Sequence, residues 1–209
     1  MPTQTFFNLP EDKQQRLLDA ASAEFSRVPF NSASINNIIK LAEISRGSFY
    51  QYFEDKEDLY YYFFNSLKKD SRKLLEECLT EANGDLFLGY KYYFPKMFKM
   101  ITEEKHAEFF RNMFLHMDYR TSRKVSPGVK KRECTKKHGD LKGHLYEFVN
   151  MDSLNIEPSE DFHLLIRLLM TILFQTIGDT FAREMSEEEA VTSFNKKLSW
   201  LQDGVYLKK

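Results

Sequence analysis

The stretch Ser45-Arg46-Gly47-Ser48-Phe49-Tyr50-Gln51-Tyr52-Phe53 gathers a guanidinium, two hydroxyls, a glycine and two phenols, and Lys56 follows shortly after. On a helix capped by Ser45, Phe49 and Phe53 lie four apart and share the inward face. Arg46, Gly47, Ser48, Tyr50 and Tyr52 are then left for the outer face and the ends. These groups suit a nucleic acid. An arginine and a serine near a helix N-terminus can reach base edges in a major groove. Gly47 lets the backbone approach closely, and Tyr50 and Tyr52 can donate hydroxyls to phosphates. Lys56 falls near the start of the next helix, where amides and the dipole favour an anion. The same spacing also fits any short helix pair with a serine cap, so spacing alone leaves both readings open.

The surrounding elements would place that surface. Pro10 can open a helix, with Glu11 and Asp12 in its first turn. Leu17, Leu18, Ala21 and Phe25 share one face of it, and Pro29 predicts its end near Val28. Ser34 is the best N-cap for a second short helix carrying Ile35, Ile38, Ile39 and Ala42 on one side. A few turn residues around Glu43 and Ile44 separate it from the helix capped by Ser45. Two short helices so joined have the layout of a helix-turn-helix. Sustained alternation bounded by turn residues is missing, so the whole chain reads as all-α.

Ser45-Arg46-Gly47-Ser48-Phe49-Tyr50-Gln51-Tyr52-Phe53, followed by Asp55-Lys56-Glu57-Asp58-Leu59, resembles the tetracycline-repressor (TetR) family of bacterial transcription regulators. The likeness reaches upstream through Ile44, Ala42, Ile38 and Ile35 to Phe25, Ala21 and Ala20, about the first 65 residues. It implies an N-terminal three-helix DNA-binding domain over residues 1–55 and a helical effector-binding and dimerisation domain over 56–209. By resemblance Tyr50, Tyr52, Lys56 and Ser34 are phosphate contacts, and Arg46, Gly47 and Ser48 lie where bases are read, with Ser45 at the helix start. Two positions depart from the family pattern. Glu43 stands at the usual turn glycine, where a left-handed conformation would cost about 1–2 kcal/mol. Pro29 stands where a glycine usually follows the first helix.

Beyond Lys56 the aromatic share of 15% becomes conspicuous. Phe87 to Ile101 predicts an apolar helix with a kink or break at Pro95. Phe109, Phe110, Met113, Phe114 and Met117 form another stripe, which core packing alone would explain. The resemblance places an effector pocket in this domain, and Met and Phe suit a large apolar ligand. The candidate lining is Tyr93, Met97, Phe110, Phe114 and Met117. Arg120 to Lys142 is basic, a solvated face or an aid to steering anions. The helix after Glu157-Pro158-Ser159 is apolar around much of its circumference from Leu164 to Phe174, which suggests a second subunit. Ser186 caps a last helix whose apolar side carries Val191, Phe194, Leu198, Leu201 and Val205. The pair resembles the family's four-helix dimer interface. Leu168, Ile172, Gly178, Phe194, Leu198 and Leu201 are its candidate residues. Arg167 is expected to pair with Glu160 or Asp161, or to meet a ligand carboxylate.

Net charge is −1, so no broad positive field draws DNA. In the first 56 residues Glu11, Asp12, Asp19, Glu24, Glu43, Glu54 and Asp55 balance the Lys and Arg. Cys78 and Cys134 fit no metal or redox spacing and suggest a reducing compartment. Cys134, His138 and His144 are too loosely spaced for zinc. The N-terminus lacks a signal pattern, and the Leu164–Phe174 run, interrupted by Arg167, is short for a bilayer. These features imply a cytoplasmic protein without cofactor, metal or membrane partner. A nucleophile elbow, phosphate loop and metal-ligand set are all missing, which disfavours an enzyme. The resulting expectation is a homodimeric repressor that leaves a palindromic double-stranded DNA operator on binding a small apolar or amphipathic effector. A regulator controlled by a partner protein is the alternative.

Overall fold

The structure, a computed structural model, describes residues 1–103, 105–116, 145–157 and 160–205. Met117, the basic segment 120–142, Cys134, His138, His144 and Ser159 lie outside these residues. The described helices are α1 (Gln4–Phe7), α2 (Glu11–Arg27), α3 (Ile35–Leu41), α4 (Arg46–Tyr52), α5 (Lys56–Glu81), α6 (Leu86–Thr102), α7 (Ala107–Leu115), α8 (Glu160–Arg183) and α9 (Glu187–Val205). The chain is all-α, with no extended strand among the described residues. It forms two compact units, Met1–Asp70 with Met100–His116, and Ser71–Lys99 with Met117–Lys209. The division between these units falls inside α5 and α6.

In the first unit Leu17, Ala21, Phe25, Ile38, Phe49, Phe53, Leu59 and Phe63 form the buried core. Tyr60 meets Phe25 at 4.9 Å, and Phe63 meets Phe109 at 5.0 Å between ring centroids. Residues at and before α7 fasten it to α2 by polar links as well. Lys105 pairs with Asp19 at 3.2 Å, Ser22 Oγ lies 3.1 Å from His106 Nδ1, and the Asn112 amide donates to the carbonyls of Phe25 and Ser26. Those two carbonyls belong to the last turn of α2, where intrahelical donors run out.

In the second unit, α6 crosses α5 at Gly89, where a Cβ would come within 2.6 Å of Leu79 Cδ2 and 3.3 Å of its Cα. Of the kink or break expected at Pro95, the break does not occur: the helix continues through it. Phe94 stacks on Phe194 of α9 with centroids 4.1 Å apart. Ser186 and Glu189 form a reciprocal cap at the start of α9, each backbone N–H donating to the other's side chain. The Ser186 N–H bond holds the Glu189 carboxyl below its usual range.

By length and composition α8 is apolar enough to cross a membrane, longer than the run read from sequence. Its Phe162, Leu165, Ile166, Leu169, Leu173 and Ile177 are nevertheless buried in the chain's own fold. Arg167 is exposed and pairs with neither Glu160 nor Asp161 among the described residues. Asp161 instead accepts the Glu157 N–H at 3.0 Å.

Candidate nucleic-acid interface

α3 and α4 are joined by a tight turn at Ala42, Glu43 and Ile44. Glu43 adopts φ 55°, the left-handed conformation that the sequence raised as a possibility. Ile44 N–H donates to Ile39 O and Glu43 N–H to Lys40 O, the paired bonds that close a helix C-terminus in this geometry. The Glu43 carboxylate accepts from Arg16 of α2 at 3.0 Å, an exposed contact.

Ser45 caps α4, its Oγ accepting the Ser48 N–H at 3.0 Å and lying 2.8 Å from Ser48 Oγ. Phe49 and Phe53 are fully buried, as their spacing required. Arg46, Gly47 and Tyr50 are exposed, while Ser48 and Tyr52 are half-buried. A Cβ on Gly47 would meet only Ser45 Oγ, at 3.8 Å, so nothing in the fold itself requires glycine there. The Arg46 guanidinium donates to Asn36 Oδ1 of α3 at 2.7 Å and to the Tyr50 hydroxyl at 3.4 Å, and lies 5.6 Å from the Tyr50 ring centre. Asn36 escaped the sequence reading because a single exposed Asn on a short helix carries no periodic signal.

Two charged residues differ from expectation. Lys56 is not a free cation: its Nζ donates to the carbonyls of Phe30 and Ala33, each at 2.7 Å, and of Asn31 at 3.4 Å. It tethers the turn that leads into α3. Burial pushes its pKa down, with the Glu24 charge pulling it back up. Glu24, counted among the balancing acids, is 1% exposed. Its carboxylate accepts from Arg27, from the Ser34 N–H at 2.8 Å and from the Asn37 amide. Burial opposes ionisation, yet the Ser34, Arg27 and Asn37 bonds together hold the carboxyl below its usual range. Ser34 does start α3, but its hydroxyl makes no cap bond. Glu24 instead accepts the N–H of Ser34 itself, tying the start of α3 to α2. The Glu24 partners ten and thirteen residues on could not be read without the fold.

The other candidates are dispersed. Tyr93 and Met97 are buried in the second unit, where Ser71 bonds the Tyr93 hydroxyl and burial pushes its pKa up to about 12. Phe110 and Phe114 belong to the first unit. Phe194 and Leu198 are fully buried within one chain, so neither offers surface to a second subunit. They are core residues that hold α9 in place. Leu168 is half exposed, Ile172 and Leu201 are intermediate, and Gly178 has nothing within 4 Å of its would-be Cβ.

A short capped helix, presented at a tight turn with its polar side outward, defines a helix-turn-helix DNA-binding unit. Residues 17–63 match the family model described as bacterial regulatory proteins, tetR family. Residues 85–205 match the tetracyclin repressor-like C-terminal domain, more than half of the chain. The chain belongs to the TetR family and is a DNA-binding transcription regulator, not an enzyme.

Among curated relatives it is 38% identical over 73 residues to the uncharacterized HTH-type regulator YdgC of Bacillus subtilis, 35% of this chain and 37% of that protein. It is 33% identical over 86 residues to the HTH-type transcriptional regulator AcrR of Shigella flexneri, 41% of this chain and 34% of that one. The matches thus span about a third of the relatives' length. Among solved structures, FadR from Bacillus subtilis in complex with stearoyl-CoA aligns with TM-score 0.60 at 14% identity, covering 88% of this chain and 96% of that one. A TetR-family regulator from Streptomyces coelicolor aligns with TM-score 0.60 at 20% identity, over 92% and 81%. Both likenesses concern the fold.

Proposed function

We propose that this regulator is a homodimeric repressor that sits on a palindromic operator and is released by a small amphipathic effector. The observation that carries the DNA half is α4, whose Ser45 cap, Arg46, Gly47, Ser48 and Tyr50 all stand at its open side. Arg46 reads base edges, held ready by Asn36, while Tyr50, Tyr52 and the Ser34 hydroxyl meet phosphates. Lys56 acts one step back, by fixing the turn that presents Ser34.

Three features support the effector half. Tyr93 and Met97 line an aromatic interior in the second unit. The Tyr90 hydroxyl is buried there without a hydrogen-bond partner among the described residues, an atom that a ligand carbonyl or hydroxyl would satisfy. FadR, a fold relative, is described with stearoyl-CoA, an amphipathic molecule. The exposed side of α8, with Leu164, Leu168 and Gly178, supports a second copy docking there.

Selection of DNA from a random pool by the purified chain tests the first half, and an inverted repeat is the expected winner. Recovery of no preferred sequence would sink it. Titrating stearoyl-CoA into the selected complex tests the second half. Release that Tyr90→Phe blunts is expected, while DNA affinity of the unliganded variant stays at the wild-type value.

A further inference from the structure

We propose that the N-terminal arm, residues 3–9, is a positioning element for α4 that sets operator affinity without touching DNA. The proposal rests on α4 being the recognition helix. That helix has only seven residues and no basic residue in its last turn. A helix this short has little intrinsic stability, so its ends decide whether its last turn holds or frays.

Thr3, 48 positions from its partner, closes the C-terminal end. Its N–H donates to Tyr52 O at 2.9 Å and its hydroxyl to Gln51 O at 2.5 Å. Phe6 anchors the arm. It is fully buried, with ring centroids 5.0 Å from Phe53, 5.3 Å from Tyr62 and 6.4 Å from Tyr52. The arm is fastened at its far end too, where the Gln14 amide donates to Leu9 O at 2.9 Å.

Two facts argue against direct DNA contact as the arm's role. Residues 1–9 contain no Lys or Arg, and the Met1 ammonium is paired with Asp58, so no free side-chain cation is offered to phosphates. Their polar side-chain and backbone groups at Thr3 are already engaged on α4. The family model matches residues 17–63, so the arm lies outside the matched span. Its effect is to hold the turn that carries Tyr50 and Tyr52 at one orientation, with Tyr52 packed against the Phe6 ring.

The test uses the full chain and a selected operator, titrated with wild type, Thr3→Val, Thr3→Ser, Phe6→Ala and Arg46→Ala. Amide exchange is followed at residues 49–53 without DNA. Thr3→Val should weaken operator binding about three- to fivefold, the loss of one hydrogen bond. It should also speed exchange at the Phe53 amide, and Thr3→Ser should restore both. Phe6→Ala should weaken binding further and flatten the ranking of single-base operator variants. A purely structural arm would lower the melting temperature but leave affinity and base ranking unchanged well below it. If Thr3→Val and Phe6→Ala bind like wild type while Arg46→Ala does not, the inference is overturned. If Arg46→Ala also binds like wild type, α4 is not the reading helix and the inference falls with it.

Discussion

Single residues decide how the reading head is held, and Glu24 is the one most easily misjudged. A glutamate on an amphipathic helix is ordinarily a solvated charge, yet this one is buried beneath Ser34, Asn37 and Arg27. Glu24→Ala should destabilise the protein by about 2–3 kcal/mol, because a buried N–H and an amide lose a charged acceptor. Urea denaturation measures this. The sign of the pH effect follows from the depressed pKa. Its stabilisation is complete above the ordinary glutamate pKa of about 4.3 and is lost as pH falls through the lower folded value. Glu24→Gln should therefore show a flatter fall in urea midpoint below about pH 4.5 than wild type. Glu43 makes the opposite case. Its φ of 55° suits glycine, and its bond to Arg16 lies at the surface, where such pairs are worth little. Glu43→Gly should thus be neutral or raise stability by up to about 1 kcal/mol, with the Arg16 pair lost. A clear drop in melting temperature would show that the Arg16 bond outweighs the strain.

At the level of elements, legibility followed the range of the interactions. Apolar spacing marked α2, α3 and α4, because each buries one face, and Ser45 announced α4 by a bond three residues away. Ser34 does open α3, but the acceptor for its N–H sits on another helix, out of reach of a local pattern. The tether made by Lys56 was equally illegible, because its carbonyl partners lie 23 to 26 residues upstream. α7 read as an apolar stripe, with nothing in the sequence to show that it belongs with the first unit. Nor did the sequence mark Gly89, since a glycine inside an aromatic helix looks like an imperfection. Its neighbour Leu79 explains it. Gly89→Ala should cost about 1–3 kcal/mol through the clash, more than alanine's gain in helix propensity of about 1 kcal/mol returns. Chemical denaturation should show a lowered midpoint. Pairing the change with Leu79→Ala should recover part of the clash cost if contact, and not some other defect, is the cause.

For the whole molecule the governing question is what covers α8. A helix whose one side is core and whose other side exposes Leu168 at 50% and Leu164 at 44% is unfinished in a single chain. Leu164, Leu168, Thr171, Gln175 and Gly178 recur at three- and four-residue spacing, so they make one stripe. Gly178 would let another helix approach closely, and Trp200 of α9 is 67% exposed. A second copy of the same stripe is the simplest cover, since a two-fold interface sets like against like. Substitution at Leu198 would not test this, because that side chain is core and a charge there would unfold the unit. Leu164→Glu with Leu168→Glu is the better probe. Each chain then stays folded, with an unchanged helical circular dichroism signal, but carries carboxylates that self-association would bury unpaired. Sedimentation should show monomers. DNA affinity should drop steeply, because one helix-turn-helix reads only half of a palindrome and the linked second binding event is lost. A dimer that survives the double substitution would place the interface elsewhere, whereas a monomer that still binds the full operator tightly would separate dimerisation from recognition.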